Sequence, residues 1–561
     1  MSNEETPRSD EPIRVNSDPT FGAARTAPAG EDESERAENG GRRLGRQRAP
    51  RDRSRRARAP RKDTLNLSAR AVLLAAVPLV LLSLLGLVLD RGSEVSAPAI
   101  TLEPIQSAVL LCPEPGTGGD LGVRVSAAVI PGQPGQDSGA GTAGLRTLPG
   151  ANSARSVIKL VGEQAQIEAF GTKLPPIEAY GEGSLAPGLV ADQWGRDPSG
   201  RGRGMASTAC APAASDFWFV GGGAVAGRRT RVVLVNPDET AALADVIVHG
   251  PDGVIDSPAS RGLVIPAQSR LAIPLDVVAP GVNGTAIHVV VSNGRVGASV
   301  DDEQRSGLAS IGTDWIPQAA PPAMKVYVPG IINGDGARVL SVLSTSDADA
   351  VVKVRIISQE GTYAPADRDT ITVPAGSVTT IDLAPVLPPS PDGVLPATVE
   401  LTSDAPIVAG MRQFFGGRRV QDDTSFISGS QPFTGPAAVT GLPVRTATDV
   451  RVSVTAPETD AVVDITLLPF RGGKEPAVPT EARRLEIPAG TMKWIKLNPP
   501  TDIDWYTAIV TPAEGSGAIL VAHRVREKSR FGDLITGYSW RPLRTQVPVP
   551  SAEFAPQVGS N

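Results

Sequence analysis

Three stretches of the sequence decide the fold: Ala242–Val248 (ALADVIV), Ala350–Ile356 (AVVKVRI) and Ala461–Leu467 (AVVDITL). They begin 108 and then 111 residues apart. Each alternates apolar with more polar residues, and residues two apart in a strand share a face, so each predicts a half-buried β-strand. The faces predicted to lie in the core are Ala244/Val246/Val248, Val352/Val354/Ile356 and Val463/Ile465/Leu467.

Two more signatures recur in the same order after each of these strands. A Val/Ile-Pro-Ala motif falls at residues 264–267, 373–376 and 487–490, and a closing hairpin begins near Ala286, Ala397 and Ala508. Three shared elements in three copies predict tandem β-sandwich domains, each long enough for its own core. Their predicted bounds are 217–322, 323–435 and 436–548.

The segment 100–216 lacks a clear copy of the repeat but carries strand-like runs at 108–111, 123–130 and 157–160. We expect a membrane-proximal β-domain there, with a Gly/Pro/Ser-rich loop at 131–150. The predicted fold class is therefore all-β: tandem β-sandwich (Ig-like) domains after one transmembrane helix and a disordered N-terminal tail.

The uncharged run Ala71–Leu89 predicts a transmembrane helix over residues 70–90, because nineteen residues at about 1.5 Å each just cross the bilayer's ~30 Å hydrocarbon layer. Between Arg42 and Lys62 stand eleven Arg or Lys residues and one acid, Asp52. Positive charge holds this flank in the cytoplasm, so we expect a single-pass protein of the cell membrane with an extracytoplasmic C-terminal region. A cleaved signal peptide is the alternative, and the long charged region before the run disfavours it.

The two ends of the chain are predicted to lack a core. Residues 1–69 are polar and rich in Pro, Gly, Arg and acids, so a disordered cytoplasmic tail is expected, and residues 549–561 are expected to be a C-terminal tail. The chain carries 54 basic and 60 acidic residues, of which residues 1–91 hold 17 and 13. The remaining 37 and 47 make the outer part acidic, which argues against nucleic acid as a partner.

The two cysteines, Cys112 and Cys210, both fall on the predicted outer side. Oxidising surroundings favour a disulfide between them, and two free buried thiols are the alternative. Two isolated cysteines without nearby histidine lack the four ligands of a structural zinc site. No cofactor or metal is expected.

No catalytic motif stands out. His249, His288 and His523 are far apart in sequence and are each expected to be surface strand residues, and the Gly-x-Ser-x-Gly motif is absent. The acid pairs 301–302 and 422–423 are interpreted as solvated loop residues. The run Gly221–Gly227 lacks the Gly-Lys-Ser/Thr ending of a phosphate loop and is interpreted as a turn between strands.

Aromatic residues are scarce, yet Phe217, Trp218 and Phe219 fall together. Strand alternation would place both phenylalanines in the core and Trp218 on the other face, packed at a junction. Alternatively Trp218, with Trp194, forms a platform on which sugar rings stack. The first interpretation is favoured.

Four motifs resemble a family of actinobacterial membrane-anchored envelope proteins of unknown function: Cys112-Pro113, Cys210-Ala211-Pro212, Asp216–Gly222 (DFWFVGG) and Leu234–Pro237 (LVNP). The resemblance implies a single span and a β-rich outer region, and it implies no catalytic residue. Phe217 stands where a tryptophan would be usual in that family.

The expected function is that of a non-enzymatic, membrane-anchored envelope protein with a structural or recognition role. The bilayer is the expected partner of residues 71–89, and cell-wall glycan or envelope proteins are the expected partners of the outer region. The alternatives are an accessory component of cell-envelope polysaccharide assembly, a cell-wall hydrolase or a transmembrane sensor.

Overall fold

A computed structural model describes residues 100–113, 122–137, 139–148, 155–169, 175–200, 202–332, 334–390, 393–416, 421–470 and 477–550. The predicted tail 1–69 and transmembrane helix 70–90 lie outside these residues. Among the described helices, none has the length and apolar character needed to cross a membrane.

The described residues form almost entirely β-structure. In chain order the strands are β1 Ile100–Pro104, β2 Ser107–Cys112, β3 Gly122–Val129, β4 Gly141–Thr147, β5 Arg155–Ile158, β6 Gln164–Ala169, β7 Ile177–Gly183, β8 Leu189–Asp197, β9 Gly204–Ala209, β10 Asp216–Val220, β11 Arg228–Asn236, β12 Ala242–Gly250, β13 Gly253–Ile255, β14 Leu263–Ile265, β15 Ser269–Pro274, β16 Ala286–Asn293, β17 Gly297–Ser306, β18 Ala309–Ile316, β19 Gln318–Ala319, β20 Ala323–Ile331, β21 Arg338–Ser344, β22 Ala350–Ile357, β23 Thr362–Tyr363, β24 Thr370–Val373, β25 Val378–Asp382, β26 Pro389–Ser390, β27 Gly393–Val394, β28 Ala397–Gly416, β29 Gln421–Ser428, β30 Ala437–Pro443, β31 Thr448–Ala456, β32 Ala461–Phe470, β33 Arg483–Ile487, β34 Thr491–Lys496, β35 Trp505–Pro512, β36 Leu520–Glu527, β37 Leu534–Thr536 and β38 Gln546–Pro550. One short helix, α1 (Leu275–Val278), and 3₁₀ turns at Pro258–Ser260 and Ala384–Val386 complete the list.

The strands form four successive two-layered units. The first unit packs sheet β2-β7-β4-β5 on sheet β6-β3-β8-β9, and the second packs β13-β12-β16-β10-β19, with β14, on β15-β11-β17-β18. The fourth packs β30-β35-β32-β33 on β34-β31-β36-β37. Each of these units has its own apolar core, and the ladders are antiparallel.

In the third unit one strand belongs to both layers. β28 is 20 residues long; its first half pairs with β20 and β22, and its second half pairs with β21 and β29. The two layers therefore count as one eight-stranded sheet around a single apolar core.

The alternation predicted for the repeat strands is confirmed. Along β12, β22 and β32 the residues assigned to the core face are buried, while Asp245, Lys353, Arg355, Asp464 and Thr466 on the other face reach solvent at least in part. The turn between β16 and β17 contains Gly294, whose φ of +76° suits glycine.

Small apolar clusters between neighbouring units join them into a closed ring. Leu111 meets Val233 and Val235 between the first and second units, and Trp218 and Val220 meet strands of the third unit. Between the third and fourth units lie two clusters, Tyr327 with Ile357 and Leu520, and Ile332 with Phe415 and Ile535. The cluster between the fourth and first units consists of Ala128, Ile130, Val190, Ala438, Leu468 and Ile509. The fourth unit thus packs directly on the first.

One sequence interpretation was wrong in the first unit. The segment 131–150, interpreted as a loop, contains β4, whose glycine- and threonine-rich sequence shows little apolar alternation. The first two residues of the predicted tail 549–561 belong to β38, which pairs with β1 from Ile100↔Pro550 to Pro104↔Gln546, and the rest of that tail lies outside the described residues. We call this pair of strands the terminal ribbon.

Candidate functional site

A cavity of about 840 Å³ lies between the first, second and fourth units and the terminal ribbon. Its volume is within the range typical of sites for small organic ligands. The lining residues on which its chemistry depends are Leu111, Leu189, Val190, Phe219, Val235, Ile316, Val439, Asp192, Trp315, Tyr538, Trp540, Arg295, Arg541 and Arg544.

The predicted disulfide is present on the cavity wall. Cys112 ends β2, Cys210 follows β9, and their Sγ atoms are bonded at 2.01 Å. Both side chains are buried in the core of the first unit and line the cavity. The alternative of two free thiols is therefore wrong, and the bridge ties the first and last strands of this unit together.

A buried carboxylic acid forms the floor of the cavity. Asp192 is fully buried; its Oδ2 accepts a hydrogen bond from the Thr440 N–H at 2.6 Å, and its Oδ1 accepts one from the Tyr538 hydroxyl. Burial raises the pKa of Asp192 to about 7, although both hydrogen bonds oppose the shift. Burial and the adjacent Asp192 also raise the pKa of Tyr538 well above its usual value.

His523 lies behind this floor as a neutral imidazole. The Trp540 indole N–H donates to His523 Nδ1 at 2.9 Å, so the ring proton must sit on Nε2. Burial lowers the pKa of His523 to about 3. Because its only lone pair already accepts a hydrogen bond, this imidazole is not placed to act as a general base.

The rim of the cavity is cationic. Arg295, Arg541 and Arg544 are exposed, whereas Asp192, which is buried, is the only acid among the described residues of the lining. Arg295 is paired with Asp238 at 3.1 Å. Arg541 donates to the Gln318 side chain at 2.9 Å and to its backbone carbonyl at 2.7 Å, so this guanidinium is positioned without being neutralised.

A second polar region, the axial cluster, lies where β9, β18, β29 and β37 pack against one another in the middle of the ring. Asp314 joins three neighbouring units: Oδ1 accepts from Ser207 N–H at 3.2 Å and from the Thr536 hydroxyl at 3.3 Å, and Oδ2 accepts from Phe426 N–H at 3.2 Å. The members at equivalent strand positions are Ser207, Asp314, Ser425 and Thr536, spaced by 107, 111 and 111 residues.

Asp423 is the other acid of the axial cluster. Its Oδ2 accepts from Met205 N–H at 2.9 Å and from Ile535 N–H at 3.1 Å, so the third unit is fastened to the first and the fourth. Burial raises the pKa of Asp423 to about 8, against the effect of these hydrogen bonds. Burial and the nearby Asp423 raise the pKa of Asp314 well above its ordinary value.

Neither tryptophan proposed as a sugar platform has an open face. Trp218 is 8% exposed and stacks on His288 with ring centroids 3.7 Å apart, and Trp194 is 5% exposed and donates from its indole N–H to Thr440 O at 3.0 Å. The two lie at different junctions, second to third and first to fourth. Phe217 and Phe219 are in the core of the second unit, as the packing interpretation requires.

The expectation of surface histidines was wrong. His523 is 1% exposed and His249 8% exposed. His249 Nδ1 donates to Gly376 O of the third unit at 2.9 Å, and His288 Nε2 lies 2.8 Å from Asp216 Oδ2. Burial lowers the pKa of His249, and the charge of His288 acts in the same direction.

The interpretation of the acid pairs as solvated loops was also wrong. Asp301 and Asp302 lie in β17 and form ion pairs with Arg231 and Arg228, at 3.1 and 2.8 Å. Asp423 is fully buried in β29. Within the described ranges, no three His, Cys, Asp or Glu residues come together as metal ligands.

Comparisons with known proteins give a family but no activity. A search of curated proteins found no match. One solved structure similar to part of the chain is the "Crystal Structure of Thermotoga maritima 1070", at 14% identity over 19% of this chain and 93% of that one, and its TM-score of 0.15 is too low to carry an argument. Residues 171–498 match a family described as "Family of unknown function (DUF5719)", more than half of the sequence. The chain therefore belongs to the DUF5719 family.

Proposed function

We propose that this protein is a non-enzymatic recognition protein of the cell envelope, anchored in the membrane by residues 71–89 with its ring of β-units on the outer side. The basic residues of 42–62 support this orientation. The Cys112–Cys210 disulfide also supports it, because such bonds persist in oxidising compartments.

The observation that carries a recognition role is the cavity between the first, second and fourth units. It is built by strands of three units, so ring closure fixes its walls before any ligand binds. Preorganised walls reduce the entropy lost on binding. The partner is proposed to be a component of the envelope, either cell-wall glycan or another envelope protein.

A binding role is favoured over hydrolysis by the chemistry of the floor. Asp192 is engaged by Thr440 and Tyr538, and the nearest imidazole, His523, has its acceptor nitrogen occupied by Trp540. Nucleophilic catalysis requires a base with a lone pair directed at the nucleophile. No such pair is formed by these floor residues.

The test of orientation uses whole cells that produce the full chain with a reporter at Asn561. Added protease is expected to remove the β-region, and a reporter active only outside the cytoplasm is expected to work. A reporter active in the cytosol, or a β-region spared by protease while a known outer protein is digested, would contradict the proposal.

The test of recognition replaces Arg541, at the cavity rim, by a photo-crosslinking amino acid in the full chain. Irradiated cells should yield a crosslinked envelope component. The matched control places the same amino acid at Arg355, which is exposed on β22 of the third unit and does not line the cavity. Equal products from both positions, or none from position 541, would argue against recognition at this cavity.

A further inference from the structure

The inner wall of the cavity is apolar and suits an alkyl chain better than a sugar ring, so a glycan would be restricted to the cationic rim. Between the polar floor and the cationic rim, the buried lining residues are chiefly aliphatic or aromatic: Leu111, Leu189, Val190, Phe219, Val235, Ile316, Ala438 and Val439. A sugar in such a space would lose hydrogen bonds to water that these side chains cannot replace. An alkyl chain would gain from burial there.

The charges of the rim determine which headgroup a ligand with an alkyl chain can carry. Arg541 and Arg544 follow Trp540 at the open side of the cavity, and neither forms an ion pair with a described residue. Arg541 is held by Gln318, and the backbone carbonyl of Arg544 accepts from Gly188 N–H at 3.2 Å. The Arg541 guanidinium, held by hydrogen bonds, and the exposed Arg544 beside it favour an anionic headgroup, which both can bind through charge-assisted hydrogen bonds.

The terminal ribbon provides an apolar approach to the same opening. Val547 and Pro548 line the cavity, and Val547 is 44% exposed. Farther along the ribbon, on the face that Leu102 shares with its partner Pro548, Ile100 and Leu102 are 70% and 62% exposed. Exposed apolar residues in a group are characteristic of binding surfaces, and here they continue the wall of the cavity outward.

From these three features we infer that the cavity binds an acidic single-chain amphiphile, with its alkyl chain on the aliphatic wall and its anionic head on Arg541 and Arg544. The inference rests on the proposed recognition function and names the ligand class of that site. Phosphate and carboxylate heads share the required chemistry.

The test labels the full chain, held in lipid nanodiscs, with a photoreactive dodecyl phosphate and with a dodecyltrimethylammonium probe of the same chain length. Labelled peptides are identified by mass spectrometry, which separates cavity binding from partition into the bilayer. We expect the phosphate probe to label cavity peptides containing Leu111 or Val190 about tenfold more than the cation does, the effect of one or two charge-assisted hydrogen bonds.

Two variants and a control identify the groups responsible. The double variant Arg541→Ala/Arg544→Ala should lose about tenfold in labelling by the phosphate probe, whereas Arg355→Ala, on the exposed face of β22, should retain it. Ala209→Trp fills the cavity from β9 and should abolish labelling by both probes. A photoreactive dodecanoate should behave like the phosphate if the anionic charge is what the rim recognises.

Three results would overturn the inference: equal labelling by anion and cation, labelled peptides confined to other parts of the chain, or labelling unchanged in the double arginine variant. The outcomes are separable from those of the proposed function. Rim crosslinks to an envelope protein or glycan without amphiphile labelling would overturn this inference alone. Amphiphile labelling without envelope crosslinks would overturn the proposed partner instead.

Discussion

At the scale of single residues, Asp423 links folding to pH. It is fully buried, it receives backbone hydrogen bonds from two other units, and its pKa is raised to about 8. An unfolded aspartate titrates near 4. Between these two pKa values the folded protein keeps the proton on Asp423, whereas the unfolded chain releases it. The contribution of Asp423 to the free energy of unfolding is therefore complete below about pH 4 and is lost as pH rises through 8.

Asp423→Asn should therefore weaken the pH dependence of stability. The free energy of unfolding of the unmodified protein is expected to fall between pH 5 and pH 8, and the variant should show a smaller fall. Urea unfolding followed by tryptophan fluorescence at several pH values measures this. Asp252→Asn, in the exposed turn between β12 and β13, is the matched control and should leave the slope unchanged; an equal slope in all three proteins would contradict the prediction.

Asp302 illustrates the opposite electrostatic situation. It is 1% exposed, and although burial alone would raise its pKa, Arg228 at 2.8 Å and Arg412 at 3.7 Å hold it below the usual value. Because the two arginines belong to the second and third units, this acid also joins two units of the ring.

We expect Asp302→Ala to destabilise the protein by about 3–5 kcal/mol, since it leaves two buried guanidinium groups without their shared acid. The control is Asp464→Ala, which removes an exposed pair with Arg484 at 3.8 Å and should cost under about 1 kcal/mol. The two values come from denaturant midpoints at neutral pH. Similar costs for the two variants would show that Asp302 is not the counter-ion described above.

At the scale of elements, the close approach of β18 and β29 depends on Gly312. A Cβ at this position would lie 2.5 Å from the backbone nitrogen of Thr424, and its φ of +144° disfavours other residues. Gly281, with φ of +76°, is a suitable comparison because a Cβ there would meet no described atom within 4 Å.

Gly312→Ala should accordingly destabilise the protein much more than Gly281→Ala, whose cost is expected to be the backbone penalty of about 1 kcal/mol. The difference reports the packing of β18 on β29, and differential scanning calorimetry of the two variants measures it. Equal transition temperatures would mean that β18 and β29 can move apart without loss of stability.

The sequence predicted some elements much better than others. The strands β12, β22 and β32 were predicted with the correct buried face, because a strand with one face in the core must alternate. The strands of the axial cluster were missed, since β37 is three residues long and Ser207, Ser425 and Thr536 are small polar residues without periodicity. Together with Asp314 these residues are spaced by 107, 111 and 111 residues, which matches the repeat and was the sequence signal that could have revealed the cluster.

The other features that the sequence did not predict depend on contacts between distant parts of the chain. Asp192 and Tyr538 are 346 residues apart, and nothing local in either sequence indicates the other. The burial of His523 is likewise decided by Trp540 and by Trp194 from the first unit. Local patterns predict which face of a strand is buried, whereas packing between units determines what covers the other face.

At the scale of the whole molecule, closure of the ring depends on the junction between the fourth and first units. Ala128 is fully buried in the apolar cluster there and does not line the cavity. A carboxylate at this position could not be solvated without separating the two units.

Ala128→Glu is therefore expected to open the ring while leaving the separate cores folded. Small-angle scattering of the full chain should show a larger radius of gyration, and far-ultraviolet circular dichroism should be unchanged. Ala241→Glu, at an exposed position before β12, is the control. A variant as compact as the control would show that the junction does not hold the ring closed.

The terminal ribbon has a mechanical consequence. Because Ile100 pairs with Pro550, tension applied across these two residues would act on one end of an antiparallel ladder and break its hydrogen bonds one after another. Such unzipping needs far less force than shearing a whole strand. The two strands of the ribbon would therefore separate first. The four cores and the cavity would carry load only after this separation.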